Sequence, residues 1–335
     1  MPGHDGRLLV YALVDQAVLR WTQGRPGDPD WRGPDVVPAP DVTRLVVVQG
    51  GNRYAHLLGR RVREGEDGRL AVDFVYAIQY QAGRPVSEWR EVGSPQTAKS
   101  QQLPGVPAAA VDTAGTLHVF APTADGRIAL RREDANGRWE RWLDLGASAA
   151  LDTPAAAVAS TGRVELLAPG RAGLMTWCQG APGAAPERGQ DFPVAALPGS
   201  VTGLETSAGR ITWYLTDVHN GGIVAVRAGE WPVPLGGDPG DGRHAALATL
   251  LDGHPCTVLA HRAADGGVVL GVCPAEDERG GVWWTETGVA CLGDPALARD
   301  AQGRVVVLAV TTDGELALAR QTGDPGLVLG DWIRI

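Results

Sequence analysis

A chain of 335 residues could hold two or three ordinary domains, yet its 46 glycines and 24 prolines are spread along its whole length and no polar tether divides it. With 44% hydrophobic and 21% charged residues it can bury a core and stay in solution. A formal net charge of −9 excludes a general nucleic-acid binder, which needs a basic surface to displace counterions from phosphates, and Arg60, Arg61 and Arg63 are answered at once by Glu64, Glu66 and Asp67.

The first stretch, MPGHDGRLLVYALVDQAVLRW, lacks the basic start, apolar run and small-residue cleavage site of a secretory leader. No run approaches the length of a membrane-spanning helix. A cytoplasmic location and no membrane partner are therefore expected. From here on the chain repeats. A turn glycine followed by alternating apolar residues occurs at Gly6, Gly51, Gly115, Gly162, Gly209, Gly253 and Gly303, a step of about one seventh of the chain. Each such run is followed by a second turn and a second alternating run, from Asp15, Asp67, Asp125, Ala172, Asn220, Asp265 and Asp313. Asp-Gly and Asn-Gly suit tight hairpins because they accept positive φ at little cost.

A third element is marked by tryptophan: Trp31, Trp89, Trp139 with Trp142, Trp231, Trp283 with Trp284, and Trp332; repeat four has only Phe192. A fourth, alanine-rich element precedes the turn glycine at Pro107, Pro154, Ala245 and Pro295. Small side chains suit strands that crowd together at the innermost position. The order is a four-stranded meander, and seven of them predict an all-β, seven-bladed β-propeller in one domain. The blades fall at about 1–41, 42–104, 105–151, 152–198, 199–242, 243–292 and 293–335. Repeat one has no obvious inner strand, so either Met1 to Asp5 form a short irregular edge or the first blade has three strands. A tryptophan recurring at one repeat position reads as a wedge between blades.

The repeat is clearest from Pro107 to Gly146, as P-x-A-x-x-D-x-x-G-x-L-x-V-F, then D-G-x-I-x-L-x-R, then W-x-x-W-x-x-L-G. In this it resembles the blade repeat of the seven-bladed bacterial fucose-binding lectins of the Photorhabdus type. The resemblance implies sugar pockets between blades, with glutamine or histidine after the Asp-Gly strand and paired aromatics. TQG after Trp21 and RQTG around Gln321 keep a glutamine, whereas the segments around Glu133, Arg227 and Cys273 do not, so two or three pockets at most are implied. WD dipeptides and sialidase aspartate boxes are missing.

Four cysteines, Cys178, Cys256, Cys273 and Cys291, form no C-x-x-C pair and read as reduced core residues. No metal site and no cofactor motif is present. Loops carry function on a rigid scaffold, and those at 59–68, 94–104, 216–222 and 238–244 depart from the repeat; the first two are expected to form a lid. Asp217, His219, Asp241, Arg243, His244, His261 and Arg262 are expected to gather at neighbouring blade ends. Imidazole beside carboxylate is the unit of proton transfer near neutral pH, and His219 or His261 with Asp217 would supply it.

His56 and His118 read as hydrogen-bonded framework residues. The favoured function is a lectin-like protein for a carbohydrate or glycosylated small molecule, with Arg262, Arg243, His244, Asp241, Arg61, Trp21 and Gln321 on the ligand. The alternatives are a cofactor-independent enzyme of the cyclase or lyase type in secondary metabolism, and a protein-interaction scaffold. The partners expected are a sugar or small molecule, no nucleic acid and no membrane, with homodimerisation left open.

Overall fold

Alternating runs broken by glycine turns can satisfy their backbone groups only by pairing with one another. In the computed structural model they pair locally, seven times in succession. The structure describes residues 1–65, 68–95, 103–134, 136–147, 149–151 and 153–335. These form two compact units, residues 1–171 with 177–189, and residues 172–176 with 190–335. The strands make seven antiparallel sheets in chain order, the first of three strands and the others of four. This is the seven-bladed β-propeller that the repeat predicts. Among the described residues the helical content is one 3-10 turn, Glu278–Gly280, and no helix is long and apolar enough to cross a membrane.

The first sheet comprises β1 (Leu9–Val14), β2 (Ala17–Gln23) and β3 (Trp31–Pro38), and the second β4 (Val42–Gln49), β5 (Ala55–Glu64), β6 (Leu70–Gln79) and β7 (Arg90–Gly93). The third holds β8 (Ala108–Val111), β9 (Leu117–Pro122), β10 (Ile128–Arg132) and β11 (Leu143–Asp144). The fourth holds β12 (Ala155–Val158), β13 (Val164–Gly170), β14 (Gly173–Gln179) and β15 (Pro186–Arg188). The fifth has β16 (Thr202–Ser207), β17 (Arg210–Thr216), β18 (Ile223–Arg227) and β19 (Val233–Gly236). The sixth has β20 (Ala245–Leu251), β21 (His254–Arg262), β22 (Gly267–Pro274) and β23 (Trp283–Ala290), and the seventh β24 (Ala296–Arg299), β25 (Val305–Val310), β26 (Leu316–Arg320) and β27 (Ile333–Arg334).

The alanine-rich elements are the first strands. In one unit β4, β8 and β12 lie side by side, and in the other β16, β20 and β24 do. All four residues of β8 are buried, because small side chains let neighbouring sheets approach. In the first sheet that place is taken by Pro2, bridged to Leu8, with the backbones of Met1 and Leu9 hydrogen bonded. Both expectations for repeat one hold at once, a short irregular edge beside three regular strands.

Apolar residues of facing sheets fill the gaps between them. Phe74 and Val72 of the second sheet share a buried cluster with Val119 and Leu117 of the third; Val258, Leu270, Val305 and Val307 do the same for the sixth and seventh. The tryptophans reinforce these contacts. The Trp89 indole N–H donates to the Pro38 carbonyl at 2.8 Å, Trp177 to Leu145 at 3.2 Å and Trp284 to Leu235 at 3.0 Å, each reaching the preceding sheet. Wedge and hydrogen bond together fix one sheet on the next.

The segment from Gly59 departs from its reading as a loop. Residues up to Glu64 continue β5, paired with β6 through Glu64↔Leu70, because alternation persists through Arg61 and Arg63 into a long hairpin. The lid expected from 59–68 and 94–104 falls partly on residues 66–67 and 96–102, outside the described residues.

Candidate functional site

Neighbouring residues on a strand face opposite sides of the sheet, so two tryptophans in a row at the start of β23 must do different things. Trp284 turns toward the fifth sheet. Its ring lies over Gly271, where a Cβ would stand 2.4 Å away. Trp283 points the other way, is 63% exposed, and borders a cavity of about 740 Å³ between the sixth and seventh sheets. Its apolar wall is Leu251, Leu270 and Val272 from one sheet and Leu327, Leu329 and Trp332 from the chain leading to β27. Thr285, Thr287, Glu286 and Asp331 contribute polar groups, the Thr287 hydroxyl already donating to the Val268 carbonyl at 2.8 Å. Among the described residues no lysine, arginine or histidine lines the cavity. An exposed indole over an apolar floor can stack on the C–H face of a sugar ring, and threonine and backbone groups at the rim can meet hydroxyls.

A second aromatic cluster lies between the second and third sheets. Tyr54 and half-exposed Tyr80 meet edge to face at 5.1 Å, and Tyr76 meets Trp139 in the same way at 6.0 Å. The Tyr76 hydroxyl is 3.0 Å from His56 Nδ1. Half-buried Glu133 has its carboxyl held above the usual range by burial, against the opposing pull of Arg90.

The residues singled out from sequence separate into three groups. Asp217 and His219 share an exposed turn, where Asp217 Oδ1 accepts the backbone N–H of His219 at 3.0 Å rather than its ring. Asp241 is exposed as well. His244 and His261, by contrast, are 2% and 1% exposed, with ring centres 6.2 Å apart. His244 Nε2 lies 2.9 Å from the Thr216 hydroxyl, and burial pushes its pKa down to about 3, helped by His261. His261 is lowered in the same direction by burial, with the Arg262 backbone and Asp238 opposing. Arg262 Nε donates to the Cys291 carbonyl at 3.1 Å, and partly buried Arg243 lies in the field of Asp294.

The remaining candidates are held by the framework. Arg61 forms a two-pronged pair with Asp73, at 2.5 and 3.1 Å, and reaches Glu91 at 3.3 Å. Trp21 is 5% exposed. Gln321 has both ends of its carboxamide occupied: Oε1 accepts the N–H of Val305 at 3.1 Å and Nε2 donates to the Gly326 carbonyl at 2.8 Å. Gln23 and Gln179 make the same two bonds in their own sheets. This glutamine is a clamp between the second strand of a blade and the loop after its third.

His118 Nε2 sits 3.0 Å from Asp112 Oδ2, the one imidazole–carboxylate pair of this kind among the described residues, and is wholly buried. The thiols are free, and burial raises Cys273 to about 12 and Cys178 to about 11, which leaves little thiolate for nucleophilic chemistry. No group of three metal-ligating side chains converges among the described residues. The Trp283 cavity does not follow from the repeat pattern, although a doubled tryptophan on one strand is its signal: both cannot be wedges on the same side.

No family model matches the chain, and no curated protein matches it. Its structure is similar to solved ones. BP39L lectin from Burkholderia pseudomallei aligns over 98% of this chain and 96% of its own, with 15% identity and a TM-score of 0.68. A mutant of NanB sialidase from Streptococcus pneumoniae aligns over 88% and 68%, with 11% identity and a TM-score of 0.60. An Aleuria aurantia lectin mutant in complex with Fucalpha1-6GlcNAc aligns over 87% and 95%, with 11% identity and a TM-score of 0.51. The likeness to lectin propellers expected from the repeat is thus present in the structure, and at these identities what it establishes is the fold.

Proposed function

We propose that this chain is a lectin-like binding protein for a glycosylated small molecule, taken into the cavity between the sixth and seventh sheets. The observation that carries the reading is Trp283, a large apolar side chain left exposed on a cavity of about 740 Å³. That volume lies in the range of sites for drug-sized ligands, roughly 300–1,000 Å³, and exceeds what one sugar ring fills. With walls that are mainly leucine, valine and tryptophan, the ligand is a sugar joined to an apolar group. Glu286 and Asp331 on the wall favour a neutral sugar, since a carboxylate would meet like charge there. The lectin neighbours support a carbohydrate ligand in general, and the same face-on stacking would serve at Tyr80.

Acid–base catalysis is served less well by these side chains. His244 is neutral far below physiological pH, and Asp112 is enclosed with His118, where it also accepts the N–H groups of Ala114 and Thr116. The test is a thermal-shift and calorimetric comparison of phenyl and methyl glycosides of several neutral sugars. Saturable binding that is stronger for phenyl glycosides and lost in Trp283→Ala is expected. Equal responses of wild type and Trp283→Ala, or none to any glycoside at millimolar concentration, would sink the reading.

A further inference from the structure

His261 is 1% exposed; among the described residues its ring nitrogens make no well-formed hydrogen bond, although the Arg262 backbone lies against them, and His244 Nδ1 finds no partner. What shuts His261 from water is the connection from β19 to β20, Gly236-Gly237-Asp238-Pro239-Gly240-Asp241-Gly242. Gly237 lies directly over the pair formed by His261 and Trp284. A Cβ built on it would stand 3.5 Å from His261 Nε2 and 3.3 Å from the Trp284 ring. Gly236 and Gly237 both hold φ in the left-handed region, at +74° and +78°, which side-chain-bearing residues seldom adopt. Beyond β19 the segment is held by the Gly240 N–H to the Arg262 carbonyl at 2.8 Å, a bridge between Pro239 and Ala263, and close packing of Gly242 on Asp294.

We propose that residues 236–242 are a proton-operated flap: when His261 takes up a proton the flap lifts and exposes the His244–His261 pair. A proton on the closed site would place a cation out of water and beside a second imidazole, and burying such a charge is costly. One of the charged groups around the ring resists opening. Asp238 is the anion that acts on His261, and it rides on the flap. Arg262 follows on the same strand, Arg243 and His244 stand at the start of β20, and Asp294, from the connection to the seventh sheet, acts on the two arginines. Asp217 is occupied by the turn at His219. Opening relieves the strain at low cost, because it breaks few hydrogen bonds and lets water solvate the imidazolium.

Fragment-resolved hydrogen exchange on the full chain, corrected to a common intrinsic rate, tests this. One proton taken up on opening makes the opening constant rise about tenfold per pH unit, so protection of 236–242 should fall about tenfold between pH 6 and pH 5. His261→Phe, which keeps an aromatic ring against Trp284, should abolish the dependence, and His254→Ala, at the exposed start of β21, should retain it. Trp284 fluorescence should be quenched over the same range in wild type and not in His261→Phe. Gly237→Ala, which disfavours the closed backbone, gives a second route and should show the low-pH exchange at pH 7. Protection independent of pH in wild type, or the same fall in His261→Phe, would overturn the proposal.

Discussion

Gln179 is wholly buried, and its carboxamide holds the N–H of Val164 at 2.8 Å and the carbonyl of Ala184 at 2.7 Å. Replacing it by leucine leaves a buried N–H and a carbonyl without partners, at about 1–3 kcal/mol for an unsatisfied group. Gln179→Leu should therefore lower the unfolding free energy read from urea denaturation by that amount, as should Gln321→Leu, while sugar binding at saturation stays unchanged. A large loss of binding with unaltered stability would instead return Gln321 to the ligand. Arg227 shows what happens where the clamp is replaced. At the matching place in the fifth sheet its guanidinium bonds Glu278 at 2.6 Å and Thr212 at 2.9 Å, and Tyr214 adds a bond to the same Glu278 oxygen at 3.2 Å. Arg227→Gln would strand the Glu278 carboxylate, 3% exposed, and removing one partner of such a pair costs about 3–5 kcal/mol; the double variant Arg227→Gln with Glu278→Gln should recover much of that in the same denaturation assay.

At the scale of elements, the pairing of β22 with β23 rests on a close approach. Gly271 pairs with Trp284 and leaves just the room the indole fills, so Gly271→Ala should be destabilising by about 1–3 kcal/mol, the range for forced overpacking. It should also shift Trp283 on the opposite face, so weaker glycoside binding should accompany the lower melting temperature. Stability within error of wild type would show that Trp284 is not fixed as described. Elements of this kind were legible in the sequence wherever period and turn chemistry agreed. Alternation after each turn glycine marked β5, β9, β13, β17, β21 and β25, and alanine marked β8, β12, β20 and β24, but not β4 or β16, which hold no alanine. The site was far less legible. Asp217, His219 and Asp241 looked alike with His244 and His261 in a linear reading, yet two imidazoles end up buried side by side and the others stay in water. That difference comes from the flap folding over β21, a contact between segments some twenty residues apart that no local pattern encodes. Gln321 misled for a related reason, because a residue that recurs from repeat to repeat can serve the fold as readily as a ligand.

At the scale of the whole molecule, buried neutral histidines occur in both compact units, His56 in one and His244 in the other. Burial lowers the pKa of His56 from 6.5 to about 4 and that of His244 from 6.5 to about 3. Between those values and the ordinary value the unfolded chain holds more protons than the folded one, so stability rises with pH there. Their contribution is fully present above pH 6.5, declines as the pH falls, and is exhausted near pH 4 for His56 and pH 3 for His244. One group shifted in this way changes stability by about 1.4 kcal/mol per pH unit inside its window, so the two acting together make the slope steep between pH 6 and pH 4. Urea midpoints measured at pH 7.5, 6, 5 and 4 should fall progressively below pH 6.5. His56→Phe should flatten the slope, because that ring's Nε2 has no partner among the described residues and its loss strands only the Tyr76 hydroxyl. If the midpoint stays level from pH 7.5 to pH 5, the histidines are not held neutral by burial, and the flap over His261 loses its energetic basis as well.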